Sequence, residues 1–401
     1  MPLADDTVAE QTNQAMVDRM IAEGALYSDA VIKAFRATPR HRFIDRIFQF
    51  DRQKGQWQER IADTTSLQWL SLVYSDRALT TAIGGNTSDA LPVSSSSQPS
   101  LMGQMLQDMR LSPGHRVLEI GAGTGYNAAL LAHIVAPGEV ISIDVDPDVL
   151  SRAWANLRAF PERRIRLHPA DGRAGFPAEA PFDCIIVTAA TNDLEPAWLQ
   201  QVKDGGVLLV PLVISPGLEY IVCGRVEGGI FHGRITRAAY FMPLRGAGEG
   251  RRRDDSTTFA RQCQQTTTAP WANWFQRRIT RLGWLGFIQS LALFSWLHGC
   301  NIYYDAQEEG VGEYIIEDSP SGEWCRFSKE KWQTSGQGGA ALAQRLWRAF
   351  LDVGGPWPTE YDIQAAPKLP LPTEANVFFQ CGPRCHRTWR IRDQRNRPGW
   401  L

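Results

Sequence analysis

The segment Val117-Leu118-Glu119-Ile120-Gly121-Ala122-Gly123-Thr124-Gly125 decides the reading of this chain. A mostly apolar run leads straight into glycines on alternate positions, and Tyr126–Val135 then follows with helical spacing. A buried strand entering a glycine turn and leaving as a helix is a nucleotide-binding arrangement, because a backbone without Cβ atoms turns tightly and lets a ligand approach. The spacing is G-x-G-x-G, whereas dinucleotide folds favour G-x-G-x-x-G. Glu119, two residues before the first glycine, would repel a pyrophosphate and suits a ligand that carries positive charge.

Two further acids fit the same ligand. Asp144 ends the next apolar run, Val140-Ile141-Ser142-Ile143, where a carboxylate can bind both hydroxyls of a ribose. Asp171, in Ala170-Asp171-Gly172, follows a third strand at Ile165–His168, where an adenine contact is expected. Single acids of this kind are often helix caps or turn formers. Three at the ends of three consecutive strands point to S-adenosylmethionine, with its cationic amino group and sulfonium. Glu119, Gly121, Gly123, Gly125, Asp144, Val145, Asp171 and Gly172 are its expected contacts.

Outward from this turn, residues 101–248 alternate strands and helices. Leu101–Met109 and Pro147–Phe160 read as helices; Phe182–Thr188, Val207–Pro211 and Tyr220–Val226 read as strands. That alternation predicts a parallel sheet covered by helices on both faces. Residues 1–100 begin with helices ended at Pro39 and become Gly/Ser/Thr/Pro-rich over 71–100, which reads as loop. After Leu244 comes a Gly/Arg-rich linker with Arg251–Arg253, and ten of the fourteen tryptophans lie between Trp271 and Trp400. Residues 249–401 are therefore expected to form an accessory domain with its own core. It should hold a hairpin at Asn301–Asp305 and Glu313–Glu317, a helix at Ala340–Leu351, and an irregular tail after Pro356. The expected fold class is α/β: a Rossmann-like core with a helical N-terminal segment, plus a C-terminal α+β extension.

The 401 residues carry a formal net charge of −1 with no long basic stretch, which argues against a nucleic-acid partner. Leu282–Leu297 is short of the ~20 residues of a membrane span and contains polar residues, so a buried helix is expected and no membrane partner. Seven scattered cysteines behind an acidic, polar N-terminus suggest reduced thiols and a cytoplasmic location. Cys381-Gly382-Pro383-Arg384-Cys385-His386 could be half of a zinc site, but no second close pair exists, so no metal is expected.

The segments flanking the turn resemble those of the protein-L-isoaspartate (D-aspartate) O-methyltransferase family. They are Pro39-Arg40-His41-Arg42-Phe43-Ile44, Ser97-Gln98-Pro99, Ala180–Ala190 and Gly205–Pro211, with Phe241-Met242-Pro243-Leu244 resembling the family's closing strand. The resemblance spans roughly residues 15 to 245 in the family's order. It implies a class I methyltransferase that esterifies the carboxylate of an aspartyl or isoaspartyl residue, with Ser97 as the catalytic serine. Ser96 would lie against the cofactor. Ser94, Ser95, Gln98, Arg40 and His41 would lie on the substrate side.

Two features depart from the usual pattern. Where family members carry Gly-Gln-Thr-Ile, this chain has Val93-Ser94-Ser95-Ser96, a more polar approach to the serine. The Trp-rich extension also resembles a branch that tailors ribosomally made peptides (lanthipeptide, lasso or ester-crosslinked), often through an aspartimide. The expected substrate is such a precursor peptide. General isoaspartyl repair is the alternative, as are RNA methylation and a cofactor-binding, peptide-docking module without catalysis. Most of the tryptophans are expected in a core rather than a groove, and Arg251–Arg253 could attract an acidic peptide.

Overall fold

A computed structural model describes residues 4–85, 90–215, 217–246, 265–268, 283–305, 313–327, 331–374 and 377–392. The chain opens with helices α1 (Ala4–Ala22) and α2 (Asp29–Arg36), the latter burying Val31, Ala34 and Phe35 on one face. Next come β1 (Arg46–Asp51), β2 (Gln56–Ile61), α3 (Leu67–Val73), β3 (Leu79–Gly84) and β4 (Leu91–Ser96). The four strands form an antiparallel sheet in the order β2-β1-β3-β4. Residues 71–100 are therefore not the expected loop. Ser94 and Ser96 occupy the buried alternate positions of β4, so the strand carries hydroxyls where a period-2 pattern normally shows apolar side chains.

Helix α4 (Pro99–Asp108) leads into the nucleotide-binding layer: β5 (Arg116–Ile120), α5 (Tyr126–Val135), β6 (Glu139–Asp144), α6 (Pro147–Leu157), β7 (Ile165–Pro169) and β8 (Phe182–Val187). Helix α7 (Pro196–Gln201) precedes β9 (Val202–Ser215), β10 (Leu218–Glu227) and β11 (Ile230–Ala238). Strands β7, β6, β5, β8 and β9 pair in parallel. The chain leaves β5 toward β6 and β7, then returns to β8 on the other side of β5. That reversal opens a crevice at the carboxyl end of β5, where ligands of such sheets bind. Alternation along β5 buries Leu118 and Ile120 in one core and Val117 in the other.

Beyond β11 lie β12 (Gln265–Thr268), α8 (Gly283–Leu297), β13 (Cys300–Asp305), β14 (Glu313–Asp318), β15 (Trp324–Phe327), β16 (Lys331–Thr334) and α9 (Gln337–Asp352). Strands β17 (Tyr361–Ala366), β18 (Val377–Cys381) and β19 (His386–Ile391) are the last among the described residues. The hairpin, the buried helix and the helix over 340–351 match the sequence reading. The tail after Pro356 does not: it is strand-forming. Moreover, β17 pairs with β11, and β19 and β18 follow, so the central sheet runs β18-β19-β17-β11-β10-β9-β8-β5-β6-β7.

The expected separate C-terminal core is also corrected. Phe287, Leu291 and Phe294 of α8, Trp347 of α9 and Trp389 of β19 share one apolar cluster with Ile120, Val187, Leu208 and Tyr220. The extension is the second cover of the methyltransferase sheet. Composition marks a change near residue 250, but sheet and core cross it. Trp324, Trp332, Trp347 and Trp389 are buried, as expected of core tryptophans, whereas Trp271, Trp274, Trp400 and Arg251–Arg253 lie outside the described residues. Phe241–Leu244 is not a strand: Pro243 makes one bridge, to Ala190.

Candidate active site

The turn after β5 has the geometry its glycines suggest. Gly121 has φ +104°, and a Cβ there would lie 2.3 Å from Thr188 Oγ1, whose hydroxyl donates to the carbonyls of Ile120 and Gly121. Gly123 has φ +53°, and its missing Cβ would sit 3.5 Å from the Ser95 carbonyl. The glycine turn and the serine strand β4 thus touch, although they lie far apart in the chain. Gly125, also at positive φ, starts α5.

Asp144, at the end of β6, accepts from the amides of Gly123 (3.3 Å) and Asp146 (3.1 Å). Burial pushes its carboxyl up, against those hydrogen bonds. Val145 is half-buried beside it, and Asp146 caps α6. Asp171 accepts from Arg173 N at 2.9 Å, fixing the turn after β7. Gly172 is buried against Ile120, and its carbonyl accepts from Trp198 Nε1 at 2.7 Å. The strand ends therefore bring Gly121, Gly123, Asp144, Val145, Asp171 and Gly172 around one crevice. Its carboxylates suit a cation and a ribose diol and do not suit a phosphate chain, so the donor set fits S-adenosylmethionine.

Glu119 differs from the sequence expectation of a direct ligand. It is completely buried, and its carboxyl accepts from Asn127 Nδ2 (2.7 Å) and Ser142 Oγ, which consumes both oxygens within the protein. It braces the turn from beneath. Burial raises its pKa to about 7, only partly offset by those two hydrogen bonds. The proton is held below that pH and released above it, and a cationic ligand nearby favours the ionised form. S-adenosylmethionine affinity should therefore rise as pH increases through 7, by up to about tenfold between pH 6 and 8. Glu119→Gln should flatten that profile, as calorimetry at several pH values would read; an unchanged slope in the variant would exclude Glu119 as its source.

On the substrate side, two expected contacts are corrected. Arg40 is fully buried and donates to the carbonyls of Val73, Ser75, Arg77, Ser96 and Ser97 and to Ser96 Oγ, at 2.7–3.1 Å. His41 is buried, with Nδ1 against the Tyr74 hydroxyl. Neither can reach a substrate; both hold the wall behind Ser97. Ser96 and Ser94 are likewise buried, Ser96 Oγ accepting from Arg40 and Ser94 Oγ from Thr81 at 3.2 Å. Ser95 and Ser97 are half-buried, and the Ser97 hydroxyl makes no hydrogen bond among the described residues.

Sequence reasoning misses Asp76. It accepts from Gln98 Nε2 (2.8 Å), Ser100 N (2.8 Å) and Ser100 Oγ (2.7 Å), so Gln98 serves the start of α4 rather than a ligand. An isolated Asp in Tyr74-Ser75-Asp76-Arg77 carries no local signal of that role. Thr188, Asp193 and Arg245 escape it as well. Arg245 Nη2 bridges Asp146 (3.5 Å) and the Val93 carbonyl (3.4 Å), tying the cofactor end to the serine strand. Cys381 and Cys385 flank the β18–β19 turn, and no group of three metal-binding side chains occurs among the described residues.

A parallel sheet with its switch point at a glycine turn, followed by strand-end carboxylates, defines an S-adenosylmethionine-dependent class I methyltransferase. Residues 10–248 match the family described as protein-L-isoaspartate(D-aspartate) O-methyltransferase (PCMT). The chain is 30% identical over 244 residues to protein-L-isoaspartate O-methyltransferase of Methanopyrus kandleri, covering 60% of this chain and 95% of that one. It is 32% identical to the protein of that name from Gloeobacter violaceus, covering 57% and 96%. A solved protein-L-isoaspartate O-methyltransferase shares the fold, with a TM-score of 0.52 and 20% identity over 88% of this chain and 96% of that one. The chain belongs to the PCMT family. It is a carboxyl O-methyltransferase that uses S-adenosylmethionine. No helix among the described residues is long and apolar enough to cross a membrane.

Proposed function

We propose that this enzyme methylates an aspartyl or isoaspartyl carboxylate of one particular peptide, a ribosomally made precursor in the cytoplasm, and that the ester then closes to an aspartimide. The observation that supports recognition of a particular peptide is the construction of the extension. Its strands continue the sheet that carries the crevice, and its β18–β19 turn is anchored on Asp193, five residues past Thr188.

Bound S-adenosylmethionine supplies an electrophilic methyl group. The acceptor carboxylate is ionised at neutral pH, so no strong general base is required. Ser97 donates a hydrogen bond to one carboxylate oxygen and so orients the other for attack. Arg40, by gripping the Ser96 and Ser97 carbonyls, fixes the backbone from which that hydroxyl projects. Crevice walls that exclude water and hold the reactants in line account for most of the acceleration.

Ser97→Ala should lower kcat about 10- to 100-fold, the worth of one hydrogen bond to a charged group. S-adenosylmethionine binding should be unchanged by calorimetry, and equal turnover in the variant would remove Ser97 from the mechanism. For the substrate, mass spectrometry of a precursor peptide encoded beside the gene should show the gain of one methylene, or the loss of one water after ring closure. An unmodified precursor alongside rapid turnover of short isoaspartyl peptides would return the enzyme to repair.

A further inference from the structure

Away from the crevice, the face of β10, β11, β17 and β19 opposite α8 is met by the end of α4 at Cys223 and Arg237, and beside that contact it forms a groove of about 770 Å³. Strand alternation explains its character. Val222, Phe231, Ile363 and Trp389 point into the core beneath α8, so their neighbours Arg225, His232, Arg234, Gln364 and Thr388 line the open face. The end of α4 contributes Asp108 and Arg110, and the segment 369–374 forms a wall on which Leu371 is 73% exposed.

The charges of the groove do not cancel. Its three acids are already engaged: Asp108 with Arg237 at 2.7 Å, Asp362 with Arg392 at 2.7 Å, and Glu374 with Arg390 at 2.9 Å. Arg110, Arg225 and Arg234 are exposed and make no ion pair among the described residues; Arg225 donates only to the Gly205 carbonyl. Three guanidinium groups on a concave floor, with an exposed leucine at the rim, match an extended polypeptide carrying carboxylates and an apolar residue. A phosphate backbone would find no use for the leucine.

We propose that this groove docks an acidic segment of the polypeptide substrate, outside the acceptor site. The inference rests on the peptide-specific reading only in assigning that segment to the substrate. Helix α4 links the two places: its first residues follow Ser97, its last is Asp108, and Arg110 stands in the turn just beyond it. Its ten residues span about 15 Å, which an extended peptide covers in about five residues. The acidic segment should therefore lie at least that far along the chain from the acceptor aspartate.

The test is fluorescence anisotropy with the full-length enzyme and a short labelled Glu-rich peptide lacking any acceptor residue. Binding should weaken with added salt and fall at least about tenfold in Arg110→Glu/Arg234→Glu. Thermal melting of that variant should match the parent, because both side chains are exposed. In turnover, appending the acidic segment to a short isoaspartyl peptide should lower KM in the parent but not in the variant, with kcat on the untailed peptide equal in both. Unchanged peptide affinity in the variant would overturn the proposal. So would a single-stranded RNA of equal length bound more tightly through the same arginines. Failure of precursor tailoring alone leaves the anisotropy result intact, so the two readings can fail separately.

Discussion

Arg40→Ala is expected to cost about 3–5 kcal/mol of stability and to reduce turnover by more than about 100-fold. The guanidinium is fully buried and is the shared donor of five carbonyls and one hydroxyl. Burial lowers its pKa to about 10, which leaves it charged at neutral pH. Its removal strands buried acceptors, each costing about 1–3 kcal/mol before relaxation. It also frees the backbone of Ser96 and Ser97, and a displacement of the order of 1 Å at a reacting group is enough for the kinetic loss. Arg40→Lys should recover little, because an ammonium group offers three donors from one point and cannot span a planar ring of carbonyls. Thermal melts and single-turnover rates would read both effects; a lysine variant with parental rates would show that the fork geometry is dispensable.

Asp193→Ala should be nearly as severe, with a loss of about 3–5 kcal/mol, but by detaching the extension. Asp193 is completely buried in the loop after β8. Its carboxylate accepts from the amides of Leu194 (2.9 Å), Arg384 (2.8 Å) and Cys385 (3.2 Å). The buried Arg387 guanidinium, its pKa lowered by burial, stands 4.0 Å away. Without the carboxylate, two amides of the β18–β19 turn and that guanidinium lose their partner. Denaturant unfolding should show the loss, and hydrogen exchange should quicken in residues 382–387 and 188–195 together. Protection lost in only one of the two segments would mean that the contact does not couple them. Asp193→Asn, which keeps an acceptor but not the charge, should fall between the parent and the alanine variant.

The parallel layer is legible because each of its central strands is buried on both faces and bounded by turn residues, as in Phe182–Val187, so local pattern and tertiary environment agree. The cofactor crevice is legible for the same reason: Gly121, Gly123, Asp144 and Asp171 sit at the ends of elements whose ends the sequence marks. What escapes is long-range. Strand β4 hides its inward face behind Ser94 and Ser96, and nothing in the alternation of Tyr361–Ala366 tells that its partner is β11. Arg40 and Glu119 are found but misjudged. A charged residue in a diagnostic motif reads as a ligand, whereas here desolvation and a full set of protein partners make each a brace.

The ten-stranded sheet constrains how such an enzyme can diversify. Because β17 is hydrogen-bonded to β11, and α8 packs on β10 of the same sheet and shares its core, the C-terminal part is no cassette to be traded between relatives. A chimera joined near residue 250 would have to match strand register and the shape of a shared core at once. Change is easier on the open face, where Arg225, His232 and Arg234 alternate with core positions and can be replaced singly without disturbing what lies behind them. New preferences would then arise by resurfacing one side of a sheet whose other side is held constant.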